Sequence, residues 1–296
     1  MKIVIQIFCL PYEIDELENT LNQLRRASYY IDKSKEWILD VCMCTSDDMV
    51  NWSKSSLPKK YFEEKFMKLS NMTDWCIKTF RSSNEIKGCV SHRRFCLEHH
   101  KQTQYFIWLD TDIIFEERTL SYLENALQPA FDATPMNIIT PELVRIWDNT
   151  WDVLVNENYI NQKVGYQKIA DPYECSGIKG EVGMERVENP APQSRFKFAG
   201  GWFTCISGRL LRRIGIPESF GHYGCEDTFV MVASEKLMRE GKEDIQQFKL
   251  KNVVVCENYK YRNNSHYLNN ISAYDRREEF KKQAESNFMK ELEKIT

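Results

Sequence analysis

No apolar run in this chain approaches the length of a membrane span. Its opening stretch, Ile3 to Leu10, is interrupted by Gln6 and followed by Pro11 and acidic residues. A secretory leader needs a charged start, a longer apolar centre and small residues at its cleavage site, so this stretch reads as a first strand and the expected location is the cytoplasm. Charge of one sign is also missing: the formal net charge is -3, which creates no field to draw the molecule onto nucleic acid, and a nucleic-acid enzyme is disfavoured. The ten cysteines form no paired Cys-x-x-Cys units. Several lie in apolar segments, where a free thiol behaves as a small hydrophobe; reduced thiols are expected, with one or two disulfides left open by the even count. His92, His99 and His100 have no metal-like partners at suitable spacing and read as surface residues.

What the chain does contain is 296 residues of 42% hydrophobic composition, enough for one extensive α/β core or two small domains. The most informative run is Tyr105 to Phe115, YFIWLDTDIIF. Residues 105 to 109 are apolar without alternation, as in a strand covered on both faces, and Asp110 and Asp112 mark its end. Ligands in open α/β sheets gather beyond the carboxyl ends of strands. In extended geometry the two acids of Asp-Thr-Asp point the same way, so one magnesium or manganese ion and a diphosphate could be held there. The plain alternative is a strand end that caps the following helix.

Upstream, Leu17, Leu21 and Leu24 have helical spacing, and WILDVCMC from Trp37 to Cys44 reads as a second strand with Asp47 and Asp48 at its exit. Asp47 could accept a hydrogen bond from a base or ribose, or be a solvated turn acid. Residues 51 to 80 show no clean period. Gly88 to His100 fits a helix on which Arg93 and Arg94 could reach a phosphate, or simply form an exposed cationic face. Glu116 to Leu127 reads as a helix ended before Pro129, and Ile138 and Ile139 as a short strand. Residues 141 to 195 read as a long excursion that carries function or is mobile.

Order returns at FKFAGGWFTCIS, where Gly200 and Gly201 permit close backbone approach and Trp202 offers an apolar face to a sugar, or else fills a core beside a bulge. A short basic helix follows over Gly208 to Ile214. In FGHYGCEDTFVM, Glu226 and Asp227 stand at a helix start as caps or as a carboxylate able to take a proton from a hydroxyl. Tyr223 sits in the glycine-containing stretch before them. A polar segment carries His266, and residues 271 to 296 have the spacing of an amphipathic helix whose mixed charge leaves peripheral membrane contact open.

The order of WLDTDIIF, FAGGWFTCIS, GHYGCEDTFVM and a downstream His resembles a GT-A type glycosyltransferase of the family-2-like and β-1,4-galactosyltransferase-like group. The resemblance implies an α/β, Rossmann-like, mixed and mainly parallel sheet flanked by helices, with a C-terminal helical tail. It implies one catalytic domain over 1–270, with a nucleotide-binding half, 1–128, an acceptor-binding half, 129–270, and a C-terminal helix, 271–296. Carried over by position, Asp110, Asp112 and His266 would hold Mn2+ or Mg2+, and Asp47, Arg93, Arg94 and Gly201 would join the two aspartates around a nucleotide-sugar donor, UDP-sugar favoured. Trp202 and Tyr223 would face the acceptor, a glycan, a lipid-linked sugar or a protein. Asp227 would be the catalytic base and Glu226 would hold a sugar hydroxyl, while Thr228 departs from the acid often found next in that group. The expected reaction is inverting transfer of a sugar to a hydroxyl. A sugar nucleotidyltransferase is the alternative enzyme, although the stretch CLPYEIDEL lacks that class's glycine-rich basic loop. A non-catalytic carbohydrate-binding relative is the other alternative.

Overall fold

Ile3, Val4, Ile5 and Ile7 of β1 (Lys2–Cys9) are all fully buried, on both sides of the strand. That pattern needs a layer of helices on each sheet face. The computed structural model describes residues 1–52, 57–75, 77–144, 171–188, 196, 199–258 and 271–296. Its other strands are β2 (Glu36–Cys44), β3 (Ile77–Ser83), β4 (Tyr105–Leu109), β5 (Ile113–Ile114), β6 (Met136–Leu143), β7 (Gly177–Arg186), β8 (Phe203–Ser207) and β9 (Ile245–Glu257). They form one sheet in the order β3-β2-β1-β4-β8-β6-β9-β5, with β7 also paired to β9. Strands β1, β2, β3, β4, β6 and β9 run one way, and β5, β7 and β8 oppose them. The expected mixed, mainly parallel α/β architecture is what the chain forms.

The chain steps outward from β1 to β2 and β3, then returns to the other side of β1 with β4. Such a reversal opens a crevice at the carboxyl ends of the two central strands. One face is covered by α1 (Ile14–Ala27), α3 (Lys59–Met72) and α5 (Thr119–Ala133), whose Leu17, Leu21, Leu24, Phe62, Phe66, Leu123 and Leu127 enter one core cluster. The other face carries α4 (Cys89–His99), α7 (Gly208–Ile214), α8 (Glu226–Arg239) and α9 (Ile271–Glu293) around Val90, Leu210, Phe229, Leu237 and Ala284. Short helices α2 (Asp47–Trp52) and α6 (Pro172–Cys175) complete the elements named here.

Three expectations need correction. The helix expected to stop before Pro129 continues through it to Ala133. Burial of Leu123, Ala126, Leu127 and Ala130 along one stripe outweighs the roughly 3 kcal/mol that an internal proline costs. Residues 51 to 80 hold α3 and β3, and the excursion from 141 to 195 contains α6 and the ten-residue β7, although 145–170 and 189–195 lie outside the described residues. β7 was illegible because its burial barely alternates and it contains Gly177, Gly180 and Gly183. The nine described cysteines are free. Among the described residues, no helix is long and apolar enough to cross a membrane.

The tail docks as expected. Phe288 of α9 stacks on Phe220 at 6.1 Å and meets Phe229 edge-on at 5.5 Å, while Ser219 Oγ donates to Glu291 Oε1 at 2.7 Å. Phe288→Ala should therefore lower unfolding free energy by about 2 kcal/mol, read as a lower urea midpoint. An unchanged midpoint would mean that the tail contributes nothing to the fold.

Candidate functional site

Asp110 leaves the end of β4, where its backbone N–H donates to the Trp202 carbonyl at 3.3 Å. The Asp-Thr-Asp triplet is a turn, not the extended strand expected, because β4 ends at Leu109 and a separate strand, β5, resumes at Ile113. The turn is held from behind by a polar stripe on α1. Thr20 Oγ1 donates to the Thr111 carbonyl at 2.6 Å, Gln23 Nε2 to the Ile113 carbonyl at 3.2 Å, and Phe115 N–H to Gln23 Oε1 at 2.9 Å. After β9, the Asn258 N–H donates to the Asp112 carbonyl at 2.6 Å and Asn258 Nδ2 to Glu16 Oε2 at 3.1 Å.

Burial pushes the Glu16 carboxyl up to about 7, with hydrogen bonds from Asn258 and Asn19 pulling it back and the charge of Asp112 adding to the rise. Asp110 and Asp112 offer carboxylate oxygen, the donor type a hard divalent cation takes, but among the described residues they do not converge with a third acid, His or Cys into a metal-sized group. By donor type alone, Asp110 and Asp112 match the metal implied by the resemblance. His266 lies outside the described residues.

The second acidic pair lies at the start of α8. Positive φ angles at Gly221 (70°), Gly224 (94°) and Cys225 (66°) turn the chain sharply into that helix. Cys225 makes no side-chain cap, so Glu226 and Asp227 meet the positive end of the helix directly. Gly88, just before α4, lies so close to the His222 carbonyl that a Cβ there would overlap it, and Val90 N–H donates to that carbonyl at 3.1 Å. The α8 loop and α4 are thus locked together.

Arg93 of α4 joins the two acidic clusters. Its guanidinium pairs with Glu226, donates to Asp110 Oδ1 at 3.2 Å and to the Gly201 carbonyl at 3.2 Å, and lies 4.6 Å from the centre of the Trp108 ring. Burial opposes its charge, but Glu226, with Cys89, Asp110 and Asp227 adding smaller contributions, raises its pKa above the usual value. A side chain at Gly201 would overlap this guanidinium. The close approach expected at that glycine is made by Arg93.

Glu226 is only 4% exposed, whereas Asp227 is half-buried and accepts the Thr228 N–H at 2.6 Å. Burial, then the charge of Glu226, pushes Asp227 up to about 6, against Arg93 and the backbone N–H groups of Thr228 and Gly201.

The structure thus brings Asp110, Arg93, Gly201, Glu226 and Asp227 together, and does not bring every expected residue with them. Arg94 spends its fork on the carbonyls of Pro217 at 2.9 Å and Gly221 at 3.2 Å. Trp202 is 5% exposed and belongs to the core, so it presents little face to a sugar. Asp47 lies beyond β2, exposed and paired with Lys59 at 3.2 Å, and Tyr223 is half-buried in the α8 loop. His92 is fully buried rather than on the surface, since its ring turns inward to Asp40. The brace of Glu16, Thr20, Gln23 and Asn258 was missed. Its helical part was legible as polar residues running beside Leu17, Leu21 and Leu24.

No family model and no curated protein matches the sequence. Among solved structures, the chain is similar to S. aureus TarS 1–349 at 14% identity and a TM-score of 0.47, covering 85% of this chain and 60% of that one. It is similar to GalNAc-T7, solved with UDP, GalNAc and Mn2+, at 12% identity and a TM-score of 0.45, covering 86% and 43%. A UDP-glucose pyrophosphorylase complexed with UDP-glucose gives 11% identity and a TM-score of 0.38, covering 85% and 92%. The chain therefore spans less than two thirds of the first of these proteins and less than half of the second.

Removing Arg93 would leave Glu226 charged and buried. Arg93→Met should cost on the order of 3 kcal/mol of folding stability, and adding Glu226→Gln should restore a large part of it. Equal and additive losses in a denaturant double-mutant cycle would show that the pair is not coupled.

Proposed function

We propose that this chain is a GT-A type, metal-dependent glycosyltransferase that moves a sugar from a nucleotide-diphosphate donor to an acceptor hydroxyl with inversion. The observation that supports this reading is the Arg93 bridge, in which one guanidinium meets both Asp110 at the end of β4 and Glu226 at the start of α8. A sugar nucleotide seated there has its diphosphate toward the Asp110 turn and its sugar toward Asp227. A UDP-sugar is the favoured donor, and the acceptor is a glycan, a lipid-linked sugar or a protein. Residues 1–128 would serve the nucleotide and 129–270 the acceptor.

Asp110 and Asp112 would hold Mn2+ or Mg2+, with His266 as a further ligand. When bound, the ion supplies positive charge to the departing diphosphate. Asp227 takes the proton of the acceptor hydroxyl as its oxygen forms a bond to the anomeric carbon. The bond from that carbon to the diphosphate oxygen breaks, and the nucleoside diphosphate leaves with the electron pair. Attack from the face opposite the leaving group inverts the anomeric centre. Glu226, buried against Arg93, fits the role of a counter-ion better than that of a sugar ligand, and through Arg93 it positions Asp110. Tyr223, more open than Trp202, is the better acceptor platform.

A panel of nucleotide sugars with Mn2+ should give acceptor-dependent release of nucleoside diphosphate, and NMR of the product should show the inverted anomer. Release of pyrophosphate from a nucleoside triphosphate and a sugar phosphate would instead establish a nucleotidyltransferase. Sugar binding without turnover would indicate a non-catalytic relative.

Asp227→Asn should lower kcat by about 10²–10⁴-fold with donor affinity retained. Because a base must be ionised, wild-type kcat/KM should fall as pH drops through about 6, the value to which Asp227 is raised. That acid limb should vanish in the variant. A full acid limb in Asp227→Asn would assign the base elsewhere.

A further inference from the structure

Asp40 is a carboxylate at the centre of β2, a strand otherwise apolar on its helix-covered faces, and it is fully buried. The α4 helix lies over it. His92 and Cys96, one turn apart on α4, point to the same side, as residues four apart must. His92 Nε2 lies 3.0 Å from Asp40 Oδ1 and 3.3 Å from Cys96 Sγ. The ligating atoms of Asp40, His92 and Cys96 all fall within 4.8 Å of one another. Four ligands at zinc bond lengths of about 2.0–2.3 Å stand roughly 3.3–3.7 Å apart along the edges of a tetrahedron. The separations from His92 Nε2, 3.0 and 3.3 Å, lie just below and at the short end of those edges, and Asp40 and Cys96 are within 4.8 Å of each other.

The other oxygen of Asp40 is already used. Its Oδ2 accepts from Arg81 Nη2 at 2.7 Å and from His100 Nε2 at 2.9 Å. Those bonds orient the carboxylate and leave Oδ1 toward His92 and Cys96. Gln6, the cross-strand neighbour of Asp40 on β1, is 2% exposed and lies against Cys96, yet neither atom of its amide makes a hydrogen bond of normal geometry. A buried amide left this way costs about 1–3 kcal/mol per unmet group, so its presence asks for a partner. A network of Asp40 with Arg81 and two imidazoles accounts for the acid. It does not account for the Gln6 amide.

We infer that Asp40, His92 and Cys96, with the Gln6 amide oxygen completing the set, form a buried Zn2+ site separate from the Asp110 turn. One imidazole, one thiolate and two oxygens make a donor set of borderline softness, which suits zinc and not the hard Mg2+ or Mn2+. Arg81 remains on Oδ2 as an outer partner that steadies the ligating carboxylate. Burial keeps the thiol of Cys96 protonated in the metal-free protein, so binding replaces the S–H proton with a Zn–S bond and releases that proton to solvent. The consequence reaches the catalytic crevice, because His92 immediately precedes Arg93 on α4. An ion tying His92 and Cys96 to β2 fixes the helix that carries the bridge between the two acidic clusters. The inference does not depend on the proposed transfer reaction.

The test uses the whole chain. Protein purified without chelator should contain about one Zn2+ by elemental analysis, and protein stripped and refolded with Co2+ should show a thiolate-to-cobalt charge-transfer band. Cys96→Ser should lose that band and weaken Zn2+ binding by more than the roughly 10–100-fold that loss of an outer partner costs. Cys205→Ser and Asp112→Ala should retain both. Should Cys96→Ser fail to fold, His92→Gln provides the second variant, in which the cobalt band should shift or disappear. Wild-type protein that takes up no Zn2+ and gives no cobalt band after refolding overturns the inference, as does a band unchanged in Cys96→Ser. Loss of Zn2+ without loss of transfer activity would remove the link to Arg93 and leave the ion-binding site intact.

Discussion

The junction between the end of β4 and the start of α8 depends on one buried positive charge. A guanidinium taken out of water is tolerated only when its charge and its donors are matched, and Arg93 is matched by four groups from three parts of the chain. Glu226 comes from the start of α8, Asp110 from the end of β4, the Gly201 carbonyl from the loop before β8, and the Trp108 ring from β4 itself. Lysine could not substitute, since a single ammonium cannot present the planar fork that meets a carboxylate, a second carboxylate and a carbonyl while lying over an indole. Residues 110 and 226, far apart in sequence, are held in one place because neither acid can move without leaving part of this charge unmatched.

A second constraint acts from the opposite face. The turn between β4 and β5 has backbone groups that no strand pairs, and α1 supplies their partners through Thr20 and Gln23. Asn258 closes the turn from the end of β9 while holding Glu16. The aspartates are therefore presented by a rigid turn, bonded on one side to α1 and on the other to Arg93. Under the proposed transfer, such preorganisation would favour departure of a charged leaving group, because fixed groups need not reorient as charge develops.

Much of this was legible in the chain, and the exceptions have a common cause. Strands β1, β2 and β4 could be read because burial on both faces demands unbroken apolar runs, and the helical start at α8 because acids favour that end of a helix. The extended form expected for Asp-Thr-Asp failed because local alternation says nothing about where a strand stops pairing. Arg94 and Trp202 have the residue types of ligand contacts, yet they are spent on loop carbonyls and on the core. Arg93 and Arg94 are chemically identical in sequence, and only the rotation of α4 separates the bridge from the residue bonded to the Pro217 and Gly221 carbonyls. His92 was misplaced for the same reason, since its partner Asp40 lies on another strand and no spacing rule joins them.

Adjacent acids need not be equivalent, and the start of α8 shows how one fold separates them. Glu226 points into the protein and meets Arg93, out of contact with solvent. Asp227, one residue further around the helix, has no such direct pairing with Arg93, and burial with the neighbouring charge of Glu226 raises its proton affinity. The anion that stabilises the bridge is thus also the one that makes its neighbour more basic. A carboxylate raised toward neutrality and held by backbone N–H groups is better able to accept a proton than an ordinary surface aspartate. The division of labour follows from helix rotation: two consecutive residues project about 100° apart, so only one of them can point at the buried arginine.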